Sequence, residues 1–208
     1  MASAVIHMAV CKKVNETLKM NERYLLLGSI APDVAKIVKI PRDTTHFVTK
    51  INSDTPNIEA FIKKYHNKLK NPFEIGYLIH LITDVLWFDE FLPNYIKGME
   101  VTDKTGRKFY LSGSQVTDII YNDYTNLNLQ IIDYYNLDFS LFYEKYPLPF
   151  SQIEEFKNSY YKPLLDKMGN IMSRTNSYNF MLDKVNITHF IEYATVYVLD
   201  ELKRLNII

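Results

Sequence analysis

One stretch of the chain limits the fold more than any other. Between Phe73 and Leu92 the residues are almost continuously apolar, yet His80, Asp84, Asp89 and Glu90 interrupt them. These polar groups are too many for a membrane span, which needs about 20 predominantly apolar residues. The apolar side chains are too many for a helix lying on a wet surface. What remains is a helix from Pro72 to about Phe91 that crosses the core of a globule and takes His80 and Asp84 inside with it. An ionised aspartate is costly to bury unless a cation pairs with it or hydrogen bonds surround it. The central helix therefore asks for a partner.

The remaining chain reads as helical too. From Ser3 to Met20, Ala4, His7, Met8, Cys11, Val14 and Leu18 recur at three- and four-residue steps, one face of an amphipathic helix, with Lys12, Lys13, Asn15 and Glu16 opposite. Further helices are predicted over Asn57 to Leu69, Gln115 to about Tyr135, Ser151 to about Met168 and Ile187 to Leu205. Pro41 to Thr45 reads as a loop, and Leu137 to Phe150, with Pro147 and Pro149, as a connection between helices. Only 6 glycines occur in 208 residues, about half of average usage near 7%, too few for a turn-dense all-β fold. One segment departs from the pattern: Met99 to Ser114 has β-formers on both sides of a turn at Gly106. The expectation is an all-α fold, a single domain over residues 1–208, with a short inserted β-hairpin or flap at about 99–114.

Composition narrows the function. Lysine and arginine total 24 and aspartate and glutamate total 24, so there is no basic excess to favour nucleic acid as the main partner. Cys11 is the only cysteine, which excludes an intrachain disulfide and a cysteine-based zinc site. The first residues show neither a basic-then-apolar leader nor a cleavage signal, and a soluble cytoplasmic protein is expected. No P-loop, dinucleotide fingerprint or His-Glu-x-x-His motif is present.

The chemistry-bearing residues are few. His80 and Asp84 stand four apart, on one helix face, where both can reach one ion or simply bond to each other. His7 lies on the apolar stripe of the first helix, where a leucine or alanine would be expected. Asp33 ends the turn Gly28-Ser29-Ile30-Ala31-Pro32-Asp33, as a helix cap or as a ligand. His46 follows a polar loop and has no obvious local role. His66, among lysines, reads as solvated, and His189 sits near the start of the last helix. Imidazoles and carboxylates together suit zinc, iron or another divalent transition metal.

The order His7, Gly28-Ser29-Ile30-Ala31-Pro32-Asp33, His46-Phe47 and Gly76-Tyr77-Leu78-Ile79-His80-Leu81-Ile82-Thr83-Asp84 resembles the zinc-dependent phospholipase C family. The resemblance is strongest over residues 1 to about 92. It implies an all-helical fold related to the secreted single-strand nucleases. It also implies that Asp33, His46, His80 and Asp84 enclose one metal, and that His7 joins a second with Asp84 bridging. His80 and Asp84 would then be the catalytic pair. For a further ion, Glu90, Asp118, Asn122 and Asp123 offer oxygen ligands, and Tyr121-Asn122-Asp123-Tyr124 resembles a segment of intracellular relatives, which singles out Asp123. An oxygen-rich site there would favour iron, manganese or magnesium over zinc.

The implied activity is metal-dependent hydrolysis of a small-molecule phosphoester. Lys104, Arg107 and Lys108 on the flap could neutralise its charge, or merely form a solvated hairpin tip. Two other functions compete: a non-catalytic helical binding module with a structural or sensory metal site, and a nucleotide phosphohydrolase of the HD type. The latter is disfavoured because no adjacent His-Asp dipeptide occurs.

Overall fold

A computed structural model describes residues 1–51, 53–172 and 178–208. Helix α1 (Ala4–Leu18) starts where the Ser3 hydroxyl accepts the Ile6 N–H. Helix α2 (Glu22–Ile30) runs through a tight turn at Ala31–Asp33 into the short α3 (Val34–Val38). Helix α4 (Arg42–His46) and α5 (Ile58–Tyr65) follow, then the central α6 (Pro72–Leu86), which widens at its end into a π turn over Trp87–Phe91. Strands β1 (Ile96–Lys97), β2 (Glu100–Thr102) and β3 (Lys108–Tyr110) form an antiparallel meander in that order. Helices α7 (Gly113–Tyr134), α8 (Tyr161–Met172) and α9 (Lys184–Arg204) complete the body, α7 and α9 each opening on a reciprocal side-chain cap. The fold is all-α with a small β insertion. No helix among the described residues is long and apolar enough to cross a membrane.

Helix α6 lies inside the molecule along nearly its whole length, Phe73 to Asp84 being buried without a break. Its closest neighbour is α2, and two glycines make the approach possible. A Cβ on Gly28 would lie 2.0 Å from the Phe73 carbonyl oxygen, and one on Gly76 would lie 2.0 Å from that of Leu25. Backbone cannot yield as a flexible side chain can, so Gly28→Ala forces the helices apart. It should lower unfolding free energy by about 3 kcal/mol in denaturant melts, at the upper end of ordinary overpacking costs. A neutral substitution would show that the two helices do not touch there.

Three boundaries differ from the sequence reading. The Pro41 to Thr45 segment is not a loop throughout: α4 occupies Arg42–His46, with Pro41 just before its first turn. The helix expected from Ser151 begins only at Tyr161, with Pro163 in its first turn. Residues 151–157 are instead irregular, held by the Gln152 N–H to Glu74 Oε1 (2.8 Å) and the Glu154 N–H to the Tyr65 hydroxyl (2.8 Å). The flap begins earlier, at Ile96, and α7 starts by Gly113.

Candidate metal centre

Four separate elements deliver five polar side chains to one place. Helix α1 contributes His7, the turn after α2 contributes Asp33, the last residue of α4 is His46, and α6 supplies His80 and Asp84. All five are 0–6% exposed. Asp33 stands at the start of α3, yet its carboxylate makes no capping bond, so the helix-cap role is not the one it plays.

The tautomers follow from the neighbours. His80 Nδ1 lies 2.7 Å from the Ser29 carbonyl oxygen, which can only accept, so Nδ1 carries the proton and Nε2 presents its lone pair. His46 Nδ1 lies 3.3 Å from the Arg42 carbonyl and 3.0 Å from the Thr45 hydroxyl, whose hydrogen is given to Pro32 O at 2.8 Å. Its Nδ1 is protonated as well. Two Nε2 lone pairs thus face each other at 3.3 Å inside the core. Without a cation between them that contact is repulsive.

Around this pair, His7 stacks on His80 with ring centres 3.7 Å apart and places Nε2 3.4 Å from Asp84 Oδ1. Both His7 nitrogens and Asp33 Oδ1 are buried without a hydrogen-bond partner. Asp33 Oδ1 lies 3.9 Å from His46 Nε2, and Asp84 Oδ2 lies 3.7 Å from both His46 Nε2 and His80 Nε2. Asp84 also accepts the Ala2 N–H on Oδ1 (2.9 Å) and the Arg42 guanidinium on Oδ2 (3.2 Å). Buried polar atoms without partners are rare in folded proteins. Several of them converging on one point fit a metal ion.

Two sets of donor atoms each lie within 4.8 Å of one another: His7, His80 and Asp84, and Asp33, His46 and His80. His80 belongs to both, but it has one free nitrogen and can bind one ion. A second ion would therefore have to be held by the remaining donors, with Asp84 the carboxylate within reach of every imidazole.

Electrostatics agree with neutral, ligand-ready imidazoles. Burial, reinforced by the nearby His7, pushes the His80 pKa down to about 4. Burial and His80 push His46 well below its ordinary value. Burial raises Asp33. For Asp84 burial acts upward, but the N-terminal amine and His7 outweigh it and hold the carboxyl well below the usual range.

Asp123 does not join this group. Its carboxylate is buried, but it accepts the N–H groups of Phe180 (2.7 Å) on one oxygen and of Met181 (2.8 Å) and Leu182 (2.7 Å) on the other. It is a tie between α7 and the segment leading into α9. The other oxygen donors weighed with it are also elsewhere: Asp118 is exposed, Asn122 donates to the Tyr178 carbonyl (2.7 Å), and Glu90 accepts the Tyr193 hydroxyl (2.7 Å). Asp123→Ala strands three backbone donors and should cost about 3 kcal/mol of stability while leaving metal content unchanged, measured by denaturant melts and elemental analysis. Metal lost from a folded Asp123→Ala protein would return Asp123 to the ligand set.

The flap cations are likewise engaged, two of them by the flap itself. Arg107 pairs with Asp103 (2.8 Å) and Lys108 with Glu100 (2.9 Å), while Lys104 lies over the Tyr178 ring. The opening beside the cluster is a cavity of about 140 Å³ whose described lining includes Asp33, Lys36, Tyr121, Tyr124 and Met168 and no flap residue. The flap thus does not rim this opening.

Sequence reading missed Arg42. It lay in a segment taken for a loop, and its one local signal is the four-residue spacing to His46, which puts both on one helical face.

Buried imidazoles and carboxylates from several helices, with lone pairs facing inward, give a helical protein a donor set able to hold a metal ion. The chain belongs to the zinc-dependent phospholipase C family, whose model matches residues 1–196. No curated protein and no solved structure matches it. Membership supports metal-dependent phosphoester hydrolysis as the class of activity and zinc as the metal. Three imidazoles and two carboxylates are a donor set zinc accepts.

Proposed function

We propose that the protein is a cytoplasmic hydrolase of a small-molecule phosphoester, acting as one domain, with His7, Asp33, His46, His80 and Asp84 holding its metal. The observation that carries this reading is the pair of Nε2 lone pairs, on His46 and His80, facing each other at 3.3 Å within reach of two carboxylates. A divalent ion held there supplies Lewis acidity toward a phosphoryl oxygen and makes water a nucleophile near neutral pH. The chain's own contribution is positional. The Ser29 carbonyl fixes the His80 ring, the Arg42 carbonyl and Thr45 fix His46, and the Ala2 N–H fixes Asp84. Such orienting bonds keep ligands in the tautomer and direction that binding needs. Asp33 lines the cavity beside the cluster, which gives a substrate a place next to the ligands. With Asp123 tied to the backbone, the reason to expect iron, manganese or magnesium at an oxygen-rich position falls away.

One observation favours a different role, a structural ion in a helical binding module: the complete burial of the three histidines. A single experiment separates the two. Protein purified without added metal is analysed for metal and then assayed on generic phosphomonoesters and phosphodiesters, with and without chelator. Bound zinc with chelator-sensitive turnover supports the hydrolase. Bound zinc without turnover on any ester supports the structural ion.

A further inference from the structure

The cavity beside Asp33 holds a buried amide that nothing in the fold accounts for. Asn128 lines it from α7, is only 3% exposed, and has no hydrogen-bond partner for its side chain among the described residues. Asparagine is a poor residue for a helix interior, and a buried amide without a partner costs stability. Its polar neighbours on the same wall are engaged. The Tyr124 hydroxyl donates to the Met1 carbonyl (2.8 Å) and the Thr125 hydroxyl to the Tyr121 carbonyl (2.8 Å). Asn128, one helical turn beyond Tyr124 on the same face, has no such tie. Its amide is left to the cavity.

The rest of the lining says what could meet that amide. Ala4 and Val5 of α1, Ile37 of α3 and Met168 of α8 are apolar, and the Tyr124 ring, its hydroxyl taken, adds another apolar surface. The volume of about 140 Å³ suits one compact group, since apolar protein cavities of about 150 Å³ take a single benzene molecule. Two exposed lysines, Lys36 and Lys167, belong to the same lining, and neither is in ion-pair contact with a carboxylate among the described residues. Lys36 is held instead against the ring and hydroxyl of Tyr121. Asp33, from the metal centre, is the one carboxylate in the described lining. The rim is therefore suited to an anion that reaches the metal, and the interior to a small apolar group.

We propose that this cavity is the leaving-group pocket of the site, and that it takes one compact, largely apolar group whose hydrogen-bonding substituent is read by Asn128. The inference rests on the hydrolase reading and deepens it to a class of substrate: the phosphoester of a small apolar alcohol that carries one further polar group. A hydroxyl is enough, because an asparagine amide both donates and accepts. Sites built in this way reject an analogue that lacks the group, since the amide is then left unpaired.

The test uses non-hydrolysable phosphonates as probes, titrated calorimetrically into zinc-loaded wild-type and Asn128→Leu proteins. The series is methylphosphonate, benzylphosphonate, the three hydroxybenzylphosphonate isomers and dodecylphosphonate. In wild type, benzylphosphonate should bind at least about 10-fold more tightly than methylphosphonate, because the ring leaves water for apolar walls. One hydroxybenzyl isomer should bind at least about 10-fold more tightly again. Asn128→Leu should keep the first ratio and lose the second. A hydroxyl preference equal in both proteins overturns the proposal, as does equal binding of methylphosphonate and benzylphosphonate. A wild type that ranks no hydroxybenzyl isomer above benzylphosphonate overturns it as well, the amide then serving only water. Tightest binding of dodecylphosphonate also overturns it, because the cavity would then be the mouth of a channel for a long chain. Each of these outcomes leaves the hydrolase reading standing. Should Asn128→Leu fail to fold, Asn128→Ala decides by the same ratios. A zinc-loaded wild type that neither binds any phosphonate nor cleaves any ester sinks both readings together.

Discussion

Replacing His80 with alanine should remove bound metal and reduce phosphoester hydrolysis by about 1,000-fold or more, while His66→Ala changes neither. The size follows from position. Groups that only orient a ligand typically cost 10–100-fold when lost, and His80 is proposed as a ligand shared by both possible donor sets. Its Nδ1–H is fixed on Ser29 O at 2.7 Å, which leaves Nε2 aimed into the cluster. His66 is exposed, with Nε2 3.1 Å from the Leu205 carbonyl, remote from the cluster in fold and function. Metal content and turnover are measured on the same preparations. Full metal occupancy in folded His80→Ala would reduce the histidines to a packed core pair.

The central helix was legible because its apolar run is long and its interruptions fall four residues apart. His80 and Asp84 share a face by arithmetic alone. Asp33 was legible as a turn residue, and the resemblance gave it a second meaning that its failure to cap α3 now supports. Asp123 was misread for a reason no local pattern could reveal. Its partners are backbone N–H groups at 180–182, about 60 residues further on, and backbone donors leave no trace in residue type. The late start of α8 was visible in principle, since proline is favoured in a first helical turn and Pro163 stands there.

Arg42 and the flap show from two sides that a cation's role is not legible from its neighbours in sequence. Lys104, Arg107 and Lys108 sit together on a turn and look available, but Asp103 and Glu100 on the same hairpin take two of them. Arg42 stands between Pro41 and Asp43 in a segment that reads as a loop, with no local pattern to mark it. Tertiary structure brings it against Asp84, 42 positions away, and over the ring of Phe88 in the π turn. Charge placement was therefore the least readable part of the site.

Chelator-treated protein should lose stability steeply as pH falls from about 6.5 towards 4, with about 3 kcal/mol of the loss due to His80 alone. Its folded pKa, about 4, lies below the unfolded value near 6.5, because burial and His7 disfavour the imidazolium. Between those values the unfolded chain binds a proton that the native state refuses. Stability is then complete above about 6.5 and drains as pH drops through the window. His46, also depressed, adds with the same sign. Asp33 opposes them, since burial raises its pKa and its protonation in acid relieves a buried charge. Asp84, held low, contributes its loss only below the ordinary aspartate range. The histidines therefore set the slope between 6.5 and 4, and denaturant melts at a series of pH values will measure it. A flat profile would mean that the rings are already charged or reached by water. Added zinc should raise the melting temperature at pH 7.5, and the increment should vanish in the same acid window, because protons and metal compete for the same Nε2 lone pairs.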